Sequence, residues 1–168
     1  MEEELARKIV HGLREAGINF VTFLPESRLS QILSLIREDP SIELVPVANE
    51  AEGITIAAGA VLGGKQAACY LESTGLYVSS YSLLTVGKQL GVPILLVVGF
   101  LGAFEDQRNS FLYVTIGNRT IPLLQGLGIE YRVLEDGKNL EIKVKDAVRT
   151  MNSLRAPVAL LFAGEFTA

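Results

Sequence analysis

The sequence predicts an α/β protein in three layers, with a six-stranded parallel sheet covered by helices on both faces. Two observations carry that expectation. Short apolar runs alternate with segments of helical periodicity from one end of the chain to the other. The runs are apolar at nearly every position rather than at every second one, the pattern of strands buried on both faces. In addition, no linker, repeat or low-complexity tract divides the 168 residues. One complete domain over residues 1–168 is therefore expected.

The elements follow in order. Leu5, Ile9, Val10 and Leu13 recur at helical spacing, and Gly17 stops that helix. Residues 19–24 form a short apolar run closed by Pro25, which reads as the first strand. Ser27 is placed to cap a second helix bearing Leu29, Ile32, Leu33 and Ile36, which ends before Asp39-Pro40. Residues 42–47 read as the second strand, and 50–62 as a helix rich in Ala and Ile that Gly63-Gly64 stops. Residues 67–71 read as the third strand. The polar turn Ser73-Thr74-Gly75 then leads into a helix through about Leu90. Residues 93–98 are the clearest buried strand of all. A polar loop from Gly99 to about Asn118 and a short helix over 121–126 follow. A strand at 130–134, the turn Asp136-Gly137, a helix at 140–154 and a strand at 157–162 complete the chain.

Composition narrows the chemistry. The hydrophobic fraction is 49% and the net charge is −4, which exclude a disordered chain and disfavour nucleic acid as the main partner. The longest apolar stretch, Val92 to Phe104, falls short of the roughly 20 residues that a membrane helix needs. The acidic start Met1-Glu2-Glu3-Glu4 is unlike a secretory signal, so a cytoplasmic protein is expected. A single cysteine, Cys69, and a single histidine, His11, leave no disulfide, no cysteine or histidine metal cluster and few triads. Carboxylates, hydroxyls, cationic side chains or a borrowed cofactor must carry any reaction. No Gly-x-Gly-x-x-Gly turn follows the first strand, and no phosphate loop or Gly-x-Ser-x-Gly elbow occurs.

In a parallel sheet, ligands gather at the carboxyl ends of the strands near a switch in strand order. That selects Pro25–Arg28, Ala48–Glu52, Glu72–Gly75 and Gly99–Asn109. Within them, Val47 to Lys65 (VANEAEGITIAAGAVLGGK) places Asn49-Glu50 at the start of a helix. Small residues follow at Ala51, Gly53, Ala57, Ala58, Gly59 and Ala60. This stretch resembles the pyrimidine-binding domain of thiamine-diphosphate enzymes, where an Asn-Glu or His-Glu pair opens a helix ending in a small-residue run. Ser73-Thr74-Gly75-Leu76, Gly91 to Gly99 and Gly117 to Gly128 resemble the corresponding segments of sulfopyruvate and phosphonopyruvate decarboxylases. The chain departs from that group at Tyr77-Val78, where the group has Gly-Asn, and at Phe100-Leu101-Gly102, where it has a Trp- or His-Arg-Gly turn. Both departures fall on the substrate side in the family.

The resemblance implies the thiamine-diphosphate-binding fold, with Glu50 hydrogen-bonded to a ring nitrogen of the aminopyrimidine as the catalytic acid–base group. A carboxyl suits that task because it can hold or release one proton near neutrality. Read alone, Glu50 would be a first-turn acid favoured by the helix dipole. Asn49 is both an N-cap and a cofactor-side residue, and Glu52 reads as a solvent or interface carboxylate on another face. Ser73, Thr74 and Gly75 are either turn formers or cofactor contacts. Pro25, Arg28, Tyr77 and Arg108 are the candidates on the substrate side. Among the cations Arg28, Lys88, Arg108 and Arg119, Arg28 and Arg108 rank first for an anionic 2-oxo acid. Cys69 reads as core, His11 as a surface residue, and Tyr77 and Tyr81 as packing residues, with Tyr77 nearer the site.

The diphosphate half of such a site carries Gly-Asp-Gly, which is absent here, since Glu135 precedes Asp136-Gly137. The resemblance therefore implies an α subunit, itself without a metal site. A diphosphate-binding β subunit would hold Mg2+, and self-association is also implied. The implied reaction is decarboxylation of sulfopyruvate. The alternatives are phosphonopyruvate or another 2-oxo acid, or a non-catalytic subunit that keeps only the fold.

Overall fold

The computed structural model describes residues 1–26, 29–102 and 111–167, with the backbone alone at 111 and 112. Its order is α1 (Glu3–Glu15), β1 (Phe20–Phe23), α2 (Ser30–Glu38), β2 (Glu43–Pro46), α3 (Glu50–Leu62) and β3 (Ala67–Glu72). Then come α4 (Ser73–Val78), α5 (Ser80–Ser82), a π-helical segment π1 (Leu83–Gln89) and β4 (Leu95–Gly99). The remainder is α6 (Phe111–Leu127), β5 (Glu130–Leu134), α7 (Leu140–Leu154), β6 (Val158–Phe162) and a 3-10 turn, Gly164–Phe166. All five strand pairings are parallel, in the order β2-β1-β3-β4-β6-β5.

The central strands β1, β3, β4 and β6 are almost wholly apolar because both their faces are covered, whereas the edge strands β2 and β5 are partly exposed. Val21, Phe23, Ala68, Tyr70, Leu95, Val97, Val158, Leu160 and Phe162 face α1, α2 and α7. Phe20, Cys69, Leu71, Leu96, Val98, Ala159 and Leu161 alternate with them and pack under α3, π1 and α6. The period of two along each strand thus separates two cores rather than a core from solvent. The three-layer α/β/α expectation holds.

Three segments differ from the sequence reading. The segment Ser73-Thr74-Gly75 is not a turn before a helix but the first turn of α4 itself. The helix that follows is not continuous: it passes from α4 through α5 into a π-helical turn, where Gly87 meets Pro157. A methyl group on Gly87 would lie 2.5 Å from Pro157 Cγ, so the π register seats a bare backbone there. The loop ending near Asn118 is also shorter than expected, because α6 begins at Phe111 and carries Pro122 inside it. Gly117, expected in that loop, lies inside α6 and serves a close crossing. An added Cβ would stand 2.1 Å from the Gly102 carbonyl oxygen, and Gly102 itself has φ +67. Gly117→Ala is therefore expected to cost about 1–3 kcal/mol by overpacking against backbone that cannot yield. Thermal melting of the purified chain measures it. The Ser27 cap falls outside the described residues; at the start of α2, the Glu26 carboxylate accepts from the Leu29 N–H at 2.6 Å.

Candidate active site

The chain runs from β1 outward to β2 and returns through α3 to β3 on the other side of β1. The switch in strand order therefore lies between β1 and β3, where a crevice opens at the carboxyl edge. Pro25 follows β1 there and is exposed; α3 begins there after β2, and α4 after β3. The topology thus brings Pro25, Asn49, Glu50, Ser73, Thr74 and Gly75 to one edge.

Local chemistry fixes where α3 starts. Asn49 is its N-cap, accepting a hydrogen bond from the Glu52 N–H at 3.0 Å. The Glu52 carboxylate reaches back to accept from the Ala48 N–H at 2.6 Å. This reciprocal pair is a capping arrangement one residue wider than the usual box. Glu52 thus has a capping role, beyond the solvent or interface carboxylate expected from the sequence. Removing the cap by Asn49→Ala is expected to cost about 1 kcal/mol, which a denaturant titration of the isolated chain resolves.

Packing then fixes how deep α3 sits. Thr22, fully buried in β1, donates its hydroxyl to the Gly53 carbonyl at 3.0 Å. A methyl on Gly53 would meet Cys69 Sγ at 3.2 Å and Thr22 Oγ1 at 3.4 Å, so a bare helix face presses onto β1 and β3. Burial pushes the Cys69 thiol up to about 12, with a Thr22 hydrogen bond opposing and the Glu50 charge adding to the rise. Cys69 is therefore inert core, as expected.

Glu50 is half-buried and leans on α4. A Cβ on Gly75 would stand 2.6 Å from Glu50 Cγ and 3.0 Å from Oε1. Only glycine leaves that carboxylate its position. Ser73 is fully buried: its hydroxyl donates to the Gly99 carbonyl (3.3 Å) and accepts from the Leu101 N–H (3.1 Å). That side chain ties the end of β3 to the end of β4, and Thr74 stays half-buried beside it. Sequence reasoning missed Thr22, although a lone hydroxyl within the apolar run 19–24 was its signal.

The remaining candidates separate. Tyr77 donates its hydroxyl to the Ile116 carbonyl at 2.8 Å, which locks α4 onto α6. Burial holds its phenol above the ordinary range, with Thr120 and the Arg119 charge pulling the other way. Tyr81 is not a packing residue within this chain, since 78% of it is exposed. Lys88 donates to the Gly128 carbonyl at 2.6 Å, before β5 and so at the opposite edge of the sheet. Arg28 and Arg108 lie outside the described residues. His11 pairs with Glu141 at 2.9 Å on the α1–α7 surface. A surface hollow there, lined by Arg7, His11, Arg14 and Asp39 among others, has its Arg14 matched by Asp39 at 3.7 Å. No group of three potential metal ligands occurs among the described residues. No helix among them is long and apolar enough to cross a membrane.

This arrangement offers a flat ring one carboxylate at a helix start, with a glycine face beside it. The profile of the thiamine pyrophosphate enzyme N-terminal TPP binding domain matches residues 3–113. The chain belongs to this thiamine pyrophosphate enzyme family. The alpha subunit of sulfopyruvate decarboxylase from Methanococcus maripaludis is 28% identical over 91% of this chain and 90% of its own. The corresponding subunit from Methanothermobacter thermautotrophicus is 30% identical over 79% of each chain. A longer sulfopyruvate decarboxylase from Methanosarcina acetivorans is 23% identical over 92% of this chain, which spans only 39% of that protein. Among solved structures, 2-oxoglutarate:ferredoxin oxidoreductase from Magnetococcus marinus superposes with a TM-score of 0.74 at 20% identity. It covers 99% of this chain, which spans 29% of the oxidoreductase chain. That likeness extends the α/β fold assignment to a large enzyme. The family's cofactor, thiamine diphosphate, fits what the residues offer. Glu50 can share a proton with a ring nitrogen, and the space that a Gly75 side chain would fill is left to that carboxylate.

Proposed function

We propose that this chain, as one domain over residues 1–168, is the pyrimidine-binding α subunit of a two-chain, thiamine-diphosphate-dependent decarboxylase of sulfopyruvate. The products are sulfoacetaldehyde and CO2. The carboxylate carbon leaves with its oxygens, its bonding electrons stay on the neighbouring carbon, and a proton takes its place. The observation that carries the reading is Glu50 at the start of α3, held against Gly75 at the carboxyl edge beside the β1–β3 switch. The names and coverage of the alpha-subunit relatives support the substrate and the division into chains.

Bound thiamine diphosphate supplies the carbon nucleophile and the electron sink for such a decarboxylation. Glu50 holds one proton between its carboxylate and the ring nitrogen of the pyrimidine, and so governs when that ring can accept another. Asn49 and Glu52 fix the helix start that aims the carboxylate, and Asn49 also faces the cofactor. Gly75 keeps the space open, Thr74 lines it, and Ser73 holds the loop ends together. Pro25, Arg28, Tyr77 and Arg108 form the substrate side, with the two arginines as partners for the anionic 2-oxo acid. A β subunit binds the diphosphate and Mg2+, and the assembly works in the cytoplasm.

The test is CO2 release by the reconstituted pair from sulfopyruvate, phosphonopyruvate and pyruvate. A kcat/KM highest for sulfopyruvate is expected. A preference for phosphonopyruvate would replace the substrate while keeping the roles above. That alternative draws on the Phe100-Leu101-Gly102 turn, which departs from the family's pattern on the substrate side.

A further inference from the structure

β1 is apolar except at its third residue. Phe20, Val21 and Phe23 are buried hydrocarbon, and Thr22 among them is fully buried too. Among the described residues, Thr22 is the one buried serine or threonine that lies in a strand. A valine would fill nearly the same space, since the two side chains share one branched shape. Packing therefore does not explain the hydroxyl. Nor does a need of its acceptor. The Thr22 hydroxyl donates to the Gly53 carbonyl at 3.0 Å. Gly53 lies inside α3, where a carbonyl already accepts from the amide four residues on. Exchanging the hydroxyl's bond to water for this one adds little net stability. What the bond does supply is a fixed separation between β1 and α3.

That separation is passed on to Glu50 within one helical turn. The Gly53 N–H donates to the Asn49 carbonyl at 3.2 Å, which closes the first turn of α3 around Glu50. The Asn49–Glu52 cap holds this turn at its start, and Thr22 holds it from the sheet. Thr22 and Cys69 are register partners in β1 and β3, so both strands at the switch support Gly53. With a methyl in place of the hydroxyl, the contact to the carbonyl oxygen would open from 3.0 Å to roughly 3.3–3.6 Å, the usual carbon–oxygen approach. The first turn of α3 would then rise by a few tenths of an ångström. A reacting group has to be held within about 0.5 Å of its productive place, so a shift of that size is felt.

We propose that Thr22 is a positioning residue for the decarboxylation: its hydroxyl, bonded to the Gly53 carbonyl, sets the depth of the first turn of α3 and so the place of the Glu50 carboxylate. The inference rests on the role of Glu50 proposed above and adds what holds that carboxylate from below. Thr22 is fully buried and acts through one hydrogen bond and one helical turn.

The test measures CO2 release from sulfopyruvate by the assembled two-chain enzyme carrying Thr22→Val, Thr22→Ser, Glu50→Gln, or Thr22→Val together with Glu50→Gln. Each isolated chain is also melted. Thr22→Val is expected to lower kcat about 10-fold with KM nearly unchanged, and to melt near wild type. Thr22→Ser keeps the hydroxyl and loses a buried methyl, so it is expected to melt lower yet keep kcat near wild type. Activity then follows the hydroxyl while stability follows the methyl, an order that a purely structural residue does not give. In the double variant, Thr22→Val is expected to add little to the loss caused by Glu50→Gln. Wild-type kcat in Thr22→Val, with Glu50→Gln impaired, overturns the proposal and leaves the role of Glu50 standing. A kcat that falls in step with the melting temperature overturns it too, as do losses that multiply in the double variant. If Thr22→Val does not fold, Thr22→Ser against Thr22→Ala makes the same comparison, and equal rates overturn the proposal. Full turnover by Glu50→Gln overturns the reading beneath it, and the proposal with it.

Discussion

Glu50→Gln in the assembled two-chain enzyme is expected to lower kcat by about 10²–10⁴-fold, the range for losing a positioned acid–base group. Glutamine keeps the shape and a hydrogen-bonding oxygen, but it cannot hold and release the proton. The isolated chain should hardly notice the change in stability. A first-turn carboxylate contributes only about 0.3–1 kcal/mol through the helix dipole, and the Asn49–Glu52 cap stays in place. Steady-state CO2 release and a melting curve on the same preparation separate the two effects. A fall in kcat with an unchanged melting temperature identifies a catalytic role. A matching fall in both would mean that Glu50 is only a helix-start residue.

Gly75→Ala is expected to have the second largest effect, and by a different route. The new methyl would stand 2.6 Å from Glu50 Cγ and 3.0 Å from Oε1. The side chain is the flexible partner in that clash, so it swings aside and the fold survives. A carboxylate moved by about 1 Å from a reacting ring can cost on the order of 10²-fold in rate. The variant should therefore melt close to wild type, turn over about 10²-fold more slowly, and add little to the defect of Glu50→Gln when the two are combined. Non-additivity is the informative part, because it shows that Gly75 acts through Glu50.

Much of this was legible from the residues. The central strands announced themselves because both faces are buried, and the edge strand 130–134 and the helices over 50–62 and 140–154 have the bounds expected of them. Glu50 stood out only through the resemblance of residues 47–65 to the pyrimidine-binding domain, because read alone it is a first-turn acid. What the pattern did not carry was contact across the fold. Gly117 fell within an expected loop, whereas the Gly102 backbone passing beside it makes glycine the residue that α6 needs there. Tyr81 looked like a packing residue because aromatic side chains usually are, and no local signal says that the face it belongs to is left open. Thr22 and Gly53 are far apart in sequence and meet only once α3 has crossed β1.

The central claim is the proposed one, that this chain supplies half of a reaction centre with Glu50 as its acid–base group. The most direct measurement is the rate of CO2 release from sulfopyruvate, with thiamine diphosphate and Mg2+ present, by this chain alone and by this chain with its partner. The account predicts turnover by the pair and none above background by the chain alone. Turnover by the isolated chain would contradict it.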